Sequence, residues 1–427
     1  MLDESLKERM EAYRVLLQWQ KGGSFIKEAG LSPFAMELAL GVCRRHLFLQ
    51  YFVKTLVKKM PSLEVCTVLE MGLFQMFFTE VPDHAAVATT VELVKAASLG
   101  EGSARFMNAV LHAARKSGLP ALPPQKVRRV SIENSVPEWL VRRWFDIYGG
   151  TRAEALAKAT LERPVEWIRV NLQKTSAPVL AQKLEITGAS ILYDRYIQVP
   201  ADAKLKPILE SESFAKGEFS MQNPSAYEVV KLLDLKPGLK VWDACAAPGG
   251  KAALMAEMDS SLDILASDVS ETRVLKMHDL VDRLGLTNVR VECRDVLALD
   301  PSTEFTLSLS KGLDDTRSSK FDRILLDVPC SNMGVIARRP ESVYRITPES
   351  IKELAELQYN ILKAASTKLA LGGILVYATC SPDPEETTKV VNKFVKENPE
   401  FEKGESVLPG AEDSRYDGFF AQALHRK

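Results

Sequence analysis

A chain of 427 residues is too long for one hydrophobic core, so two or three domains are expected, large enough to fold without cross-links. Its 55 Lys and Arg balance 56 Asp and Glu to a net charge of −1, which excludes a uniformly polycationic surface for nucleic acid. Six cysteines without a CxxC pair or a His-rich neighbourhood exclude a disulfide framework and a zinc site by spacing, so reduced thiols and no metal are expected.

The chain begins MLDESLKERM, acidic where a secretory signal would be basic, and no run reaches the roughly 18 apolar residues of a membrane span. A cytoplasmic protein with no membrane partner is expected. Stretches such as LKERMEAYRVLLQW and SLEVCTVLEMGLFQMFF repeat their apolar positions at threes and fours, predicting an all-α domain over residues 1–120. The prolines at 120, 123 and 124 then break helix continuity. They predict a linker that carries Lys126, Arg128 and Arg129. Helices around EWLVRRWFDIYGG and RAEALAKATL give way to strand candidates EWIRVNL, ASILYDRYIQV and GEFSMQ. Linker and small α+β module together are expected over 121–225.

From 226 to 427 a βα rhythm takes over. Strands are predicted at 239–246, 263–268, 289–295, 321–330 and 373–380, with helices in TRVLKMHDLVDRLGL and ESIKELAELQYNILKAASTKLAL. Apolar strands separated by helices predict a largely parallel, doubly wound α/β sheet, with its ligands beyond the C-terminal strand ends. The polar stretch 301–320 is expected to be an exposed loop.

The loop after the first of these strands reads DACAAPGGK, residues 243–251. Its small residues, proline and Gly249-Gly250 allow backbone to approach a ligand where the next helix starts. Asp268 ends the following strand, where an acid commonly receives the two hydroxyls of a ribose. Asp295 ends the third strand and is placed to receive an adenine amino group. Each acid alone reads equally as a helix cap, but three features in register at successive strand ends favour one nucleoside cofactor. Neither GxGxxG nor GxxxxGK[ST] is present, which disfavours a dinucleotide or a triphosphate.

Two cysteines narrow the chemistry. Cys43, Cys66 and Cys293 suit the ordinary role of a small core hydrophobe. Cys330, in LLDVPCSNMGV, and Cys380, in LVYATCSPDPEE, instead close apolar strands and precede polar or Gly/Pro-containing residues, so their sulfurs belong at the sheet's active edge. A thiol there is a candidate nucleophile if positive charge or a helix N-terminus lowers its pKa. The helix expected to open in PDPEETTKVV could supply that dipole, partly cancelled by its acidic first turn.

DACAAPGGK, Asp268, Asp295, LLDVPCS and YATCS together resemble the S-adenosyl-L-methionine-dependent RNA cytosine carbon-5 methyltransferases over about 200 residues. The resemblance implies a Rossmann-like catalytic domain that holds S-adenosyl-L-methionine with Cys245, Ala246, Ala247, Pro248, Gly249, Gly250, Lys251, Asp268, Asp295 and Asp327. It implies Cys380 as the attacking thiol, Cys330 as an aid to product release, and Asp327 as the group that binds the target cytosine. The Thr-Cys motif is what favours RNA over DNA.

The front of the chain is similar to another family. Residues 70–116, from EMGLFQMFFTEVPDHAAVATTVELVKAA to RFMNAVLHAARK, resemble the helical RNA-binding domain of NusB. RPVEWIRVNLQKT and MQNPSA resemble the joining segment of the bacterial RsmB (Fmu or Sun) family. All three parts stand in that family's order. The implied partner is small-subunit (16S) ribosomal RNA and the implied enzyme an rRNA (cytosine-C5-)-methyltransferase acting as a monomer. Ser331-Asn332-Met333-Gly334 departs from the usual Ser-Gly-x-Gly, and Gln222-Asn223 from Gln-Asp, which bears on local loop geometry.

Arg338-Arg339, Lys126-Arg128-Arg129, Arg142-Arg143 and Arg44-Arg45 are the clusters suited to RNA phosphates. Arg338-Arg339 leads them because it adjoins the Pro-Cys motif. The same chemistry on another RNA such as tRNA, and a non-catalytic RNA-binding scaffold of ribosome assembly, remain the alternatives.

Overall fold

The computed structural model describes residues 4–23, 26, 29–298, 320–408 and 417–427. The loop expected at 301–320 lies outside them except for Lys320. The chain divides into two compact units, one of 1–163 with 336–345, the other of 164–335 with 346–427.

The first unit is helical: α1 (Glu4–Gln20), α2 (Pro33–Arg44), α3 (His46–Leu56), α4 (Leu63–Phe78), α5 (Asp83–Ala96), α6 (Glu101–Ser117), α7 (Lys126–Asn134), α8 (Glu138–Tyr148) and α9 (Gly150–Ala159). Ser32 and Ser62 start α2 and α4 by accepting from the N–H groups of Ala35 and Val65, the usual relief of unpaired helix donors. Every residue of α4 from Val65 to Met76 is buried, so the unit is built around this helix. Cys43 and Cys66 sit inside it, as expected.

One expectation needs correction here. Lys126, Arg128 and Arg129 stand on the first turn of α7, not in a linker, because the prolines stop at 124 and the run that follows buries Val130, Ser131 and Asn134. Helices α7 to α9 fall in this compact unit. Ser135, just beyond α7, accepts at its Oγ from the N–H of Phe48 on α3.

The second unit carries two sheets. In the small one, β1 (Trp167–Val170), α10 (Ala177–Lys183), β2 (Ile191–Leu192), β3 (Tyr196–Gln198), α11 (Leu205–Leu209), α12 (Glu212–Ala215) and β4 (Phe219–Met221) give an antiparallel strand order β2-β3-β1-β4. The stretch ASILYDRYIQV forms two strands, its turn made by Tyr193 and Asp194 with φ of 54°.

The large sheet follows with α13 (Ser225–Lys231), β5 (Lys240–Asp243), α14 (Gly250–Met258), β6 (Asp263–Asp268), α15 (Glu271–Leu284), β7 (Val289–Cys293), β8 (Phe321–Asp327), α16 (Pro348–Ser366), β9 (Leu369–Thr379), α17 (Thr388–Glu397), β10 (Phe401–Val407) and β11 (Phe420–Arg426). Its order is β10-β11-β9-β8-β5-β6-β7, parallel from β9 to β7 and antiparallel at β10 and β11. The strands step outward from β5 through β6 to β7, then restart at β8 on the other side of β5. The C-terminal ends of β5 and β8 therefore flank the crevice where such sheets bind ligands. Cys293, expected in the core, is exposed, because it ends the edge strand β7.

Candidate active site

Strand β5 ends at Asp243 and releases the loop 244–249 into α14. Gly249 adopts φ 99° as the cap of that helix, a left-handed conformation glycine takes without cost. A Cβ there would meet the Met277 side chain at 3.2 Å. The loop is pinned to the next strand: Ala246 N–H donates to Ser267 O at 2.8 Å and Gly249 N–H returns to Ala246 O at 2.7 Å. Asp268, 3% exposed, accepts from Ala247 N–H at 3.3 Å and from Ser270 N–H at 3.0 Å. Arg273 lies 3.4 Å from the same carboxylate and donates to Ala247 O. Cys245, Ala246, Ala247, Pro248, Gly249, Gly250 and Asp268 thus form one rim over β5 and β6. Asp295 stands exposed past β7, its Oδ1 capping Leu297 N–H at 2.8 Å.

The other wall comes from β8 and β9. Asp327 ends β8, and Lys251, in the first turn of α14, reaches across to it with an Nζ–Oδ2 distance of 2.5 Å. Asp243 is wholly buried beside this pair. Its carboxyl is pushed up to about 8, by burial first, with Asp327 and Asp268 adding to the rise and Lys251 opposing it. Burial works against the Lys251 ammonium, but Asp327 and Asp243 outweigh it and raise its pKa. Lys251 is thus a firmly held cation beside Asp327 and Asp243, and Asp243 is the carboxyl that burial drives toward the neutral form.

The parallel register of β8 with β9 pairs Asp327 with Ala378, so the loops after them emerge side by side. Cys330 Sγ and Cys380 Sγ lie 2.9 Å apart. The Cys380 thiol is raised well above its ordinary value by its hydrogen bond to Cys330, by burial and by Asp327, while Lys251 works in the opposite sense. Burial also raises the Cys245 thiol.

The sequence gives no direct sign of what joins the two loops. Glu386, fully buried, accepts from Ser331 N–H at 2.8 Å, Ser331 Oγ–H at 2.5 Å and Gln358 Nε2–H at 3.0 Å. Gln358 also donates to Pro329 O at 2.9 Å. Tyr377 O–H donates to Glu386 O at 2.6 Å. Glu386 was expected in the acidic first turn of a helix opening directly after Cys380. That helix, α17, starts only at Thr388, because Pro382 and Pro384 hold the intervening residues in turns. The N-terminus of α17 therefore does not follow Cys380 directly, and the positive charge that acts on its sulfur is Lys251.

Arg338 and Arg339 lie in 336–345, the stretch that packs in the helical unit. There Arg44 donates to Ala337 O at 3.1 Å, and Tyr344 O–H bonds Cys43 O and Ser135 O. Among the other basic clusters, Lys126 pairs with Glu154 at 2.6 Å, Arg142 with Glu138 at 3.2 Å, and Arg45 stacks 4.0 Å over Phe78. Among the described residues, no helix is long and apolar enough to cross a membrane.

Three family models match successive parts of the chain. The family model of the 16S rRNA methyltransferase RsmB/F covers residues 230–421, that of the NusB family 7–116, and that of the RsmF/B-like ferredoxin-like domain 136–198. A Bacillus subtilis (strain 168) protein named probable ribosomal RNA small subunit methyltransferase B is 33% identical, over 98% of this chain and 96% of its own length. The ribosomal RNA small subunit methyltransferase B of Salmonella arizonae is 31% identical over 92% of this chain and 90% of its own. A crystal structure of a methyltransferase homolog protein from Pyrococcus horikoshii superposes with a TM-score of 0.57 at 26% identity. It covers 72% of this chain and all of the other.

Proposed function

This chain belongs to the RsmB/F family of 16S rRNA methyltransferases, and on that premise we propose that it methylates carbon 5 of a cytidine in small-subunit ribosomal RNA through a covalent Cys380 adduct. The observation that carries the reading is the pair of sulfurs 2.9 Å apart, delivered by adjacent parallel strands beside the Asp327–Lys251 pair. One thiol at a strand end suits many reactions. Two in contact suit a reaction that must both make and break a carbon–sulfur bond.

The residues fit the donor S-adenosyl-L-methionine. Asp268 is a buried carboxylate at the end of β6, suited to ribose hydroxyls, and Asp295 is an exposed carboxylate at the end of β7, suited to an amino group. When bound, the donor supplies an electrophilic methyl group.

Carbon 5 of cytosine is a weak nucleophile until a thiolate adds to carbon 6. Cys380 makes that bond, and the electron pair it pushes into the ring activates carbon 5 to take the methyl group. Asp327 accepts from the exocyclic amino group of the base as charge moves there, with Lys251 balancing the carboxylate. After transfer carbon 5 carries both methyl and hydrogen. Cys330, ionised once its own proton has passed to solvent, takes that proton as a thiolate, the ring double bond returns, and the Cys380 carbon–sulfur bond breaks with the sulfur leaving as thiolate. Because the Cys380 thiol is raised in the free protein, ionisation is a required step: the proton passes to solvent, and the Lys251 ammonium stabilises the thiolate left behind. The target base must leave its stack to reach the sulfur, at a cost of about a few kcal/mol that unpaired RNA reduces.

Bisulfite mapping of 16S rRNA and tRNA from cells with and without the protein tests the assignment. A single 16S cytidine losing its mark supports it. Loss only in tRNA moves the substrate, and no loss in either RNA leaves the scaffold alternative.

A further inference from the structure

The residue that replaces the expected glycine in the Pro-Cys loop lies against both thiols. Asn332 adopts φ 61°, the left-handed conformation that asparagine enters most readily after glycine. The departure from Ser-Gly-x-Gly therefore keeps the turn and adds a side chain to it. That amide bridges the two loops: Nδ2–H donates to Cys330 O at 3.1 Å, and Oδ1 accepts from the Cys380 thiol at 3.1 Å. The backbone holds the same junction, with Gly334 N–H donating to Cys380 O at 2.8 Å.

The contacts fix which way the amide faces. A backbone carbonyl only accepts, so Nδ2 faces Cys330 O and Oδ1 faces Cys380. The Cys380 thiol proton has two acceptors in reach, Asn332 Oδ1 at 3.1 Å and Cys330 Sγ at 2.9 Å, and each stabilises the protonated form. We propose that Asn332 is the positioning residue of the Cys380 sulfur: it clamps the two thiol loops together and holds the Cys380 thiol by accepting its S–H hydrogen bond. This rests on the reading of Cys380 as the attacking thiol.

The other groups facing that sulfur are Cys330 after β8, Asp327 at the end of β8 and Lys251 in the first turn of α14. Asp243 on β5 stands behind Lys251, and Glu386 is bound through Ser331. All of these remain when Asn332 is changed. An oxygen that accepts from the thiol stabilises its protonated form, so removing that oxygen lowers the pH at which the sulfur ionises.

Alkylation of Cys380 by iodoacetamide in the full chain, resolved by peptide mass spectrometry across about pH 6 to 10 without RNA or donor, reads this directly. Asn332→Gly fits the left-handed turn and shifts the midpoint of Cys380 reaction down by about half a unit to one unit. Asn332→Asp keeps the turn and the acceptor but adds negative charge, and shifts it up. The pH profile of kcat moves in the same two directions. A Gly profile superimposable on the parent, or an Asp profile shifted down, overturns the proposal. Alkylation needs no catalysis, so that failure leaves the methyl-transfer reading intact. Product formation by Cys380→Ala would remove the reading of Cys380 as the attacking thiol while the alkylation shifts of the Asn332 variants stood.

Discussion

Cys330 and Cys380, fifty positions apart in sequence, bring their sulfurs within 2.9 Å of each other. The two substitutions separate their roles. In the proposed reaction Cys380→Ala removes the atom that adds to carbon 6, so neither adduct nor product should form with donor and RNA present. Cys330→Ala should still allow attack and methyl transfer but impair release, so a covalent protein–RNA species is expected to accumulate, stable on a denaturing gel. A trapped complex with Cys380→Ala and none with Cys330→Ala would reverse the assignment.

Glu386 ties the Pro-Cys loop to the segment after Cys380 through three accepted hydrogen bonds. Glu386→Ala leaves the buried Ser331 N–H without an acceptor, at about 1 to 3 kcal/mol, and its hydroxyl with Ser381 Oγ at 3.3 Å. A drop in the urea midpoint of the catalytic unit is expected, with a fall in kcat larger than any change in KM for the donor. An unchanged midpoint would show the network to be dispensable.

Much of this was legible because strand ends are written locally. Apolar runs closing on Asp243, Asp268, Asp327 and Cys380 mark both the strands and the edge to which they deliver side chains. What escaped depends on partners distant in sequence. Glu386 and Asn332 read as a helix acid and a loop departure, and only the parallel pairing of β8 with β9 sets them against Ser331 and Cys380. Strands β10 and β11 were not anticipated, since FEKGESV and FAQALHR mix charge and helix formers in segments that tertiary pairing makes extended. Helix α7 was obscured by the prolines just before it.

Asp243 makes the stability of the catalytic unit depend on pH. Its folded pKa of about 8 lies above the unfolded value of about 3.9, so between these the unfolded chain binds fewer protons and stability falls as pH rises. Its contribution is fully present below the unfolded value and is lost through about pH 8. Urea midpoints measured from about pH 5 to 9 should decline, by up to roughly 1 kcal/mol per unit from this group. In Asp243→Asn the decline is smaller. Parallel slopes in the two proteins would remove Asp243 as the cause.

Asp268 spends its carboxylate on the loop that it is proposed to complete for the ribose. Asp268→Ala therefore loses charge-assisted bonds of about 1.5 to 3 kcal/mol and weakens donor affinity by about tenfold to a hundredfold. Calorimetry with S-adenosyl-L-methionine and no RNA measures this. Unchanged affinity would place the ribose elsewhere.

Arg169 on β1 and Glu257 on α14 form an ion pair at 2.7 Å, with both side chains shut off from solvent. Arg169 also donates to Gly250 O at 2.7 Å and to Gln222 Oε1 at 2.6 Å, so the small sheet grips the helix whose first turn carries Lys251. Gln173 holds the far end of that helix through Ala256 O and Glu257 O. Arg169→Met strands the Glu257 carboxylate in the interior and should cost about 3 to 5 kcal/mol. Arg169→Met with Glu257→Leu removes both charges and should recover most of that loss, since a buried pair adds little net stability over apolar side chains of similar volume. Gly250 O loses its donor in both variants, so donor affinity should stay reduced even where stability returns. Urea midpoints of the singles and the double, with donor calorimetry on each, separate the two effects. If the two losses simply added in the double variant, the pair would not be coupled. If donor affinity recovered along with stability, the grip of Arg169 on Gly250 would have no bearing on the cofactor loop.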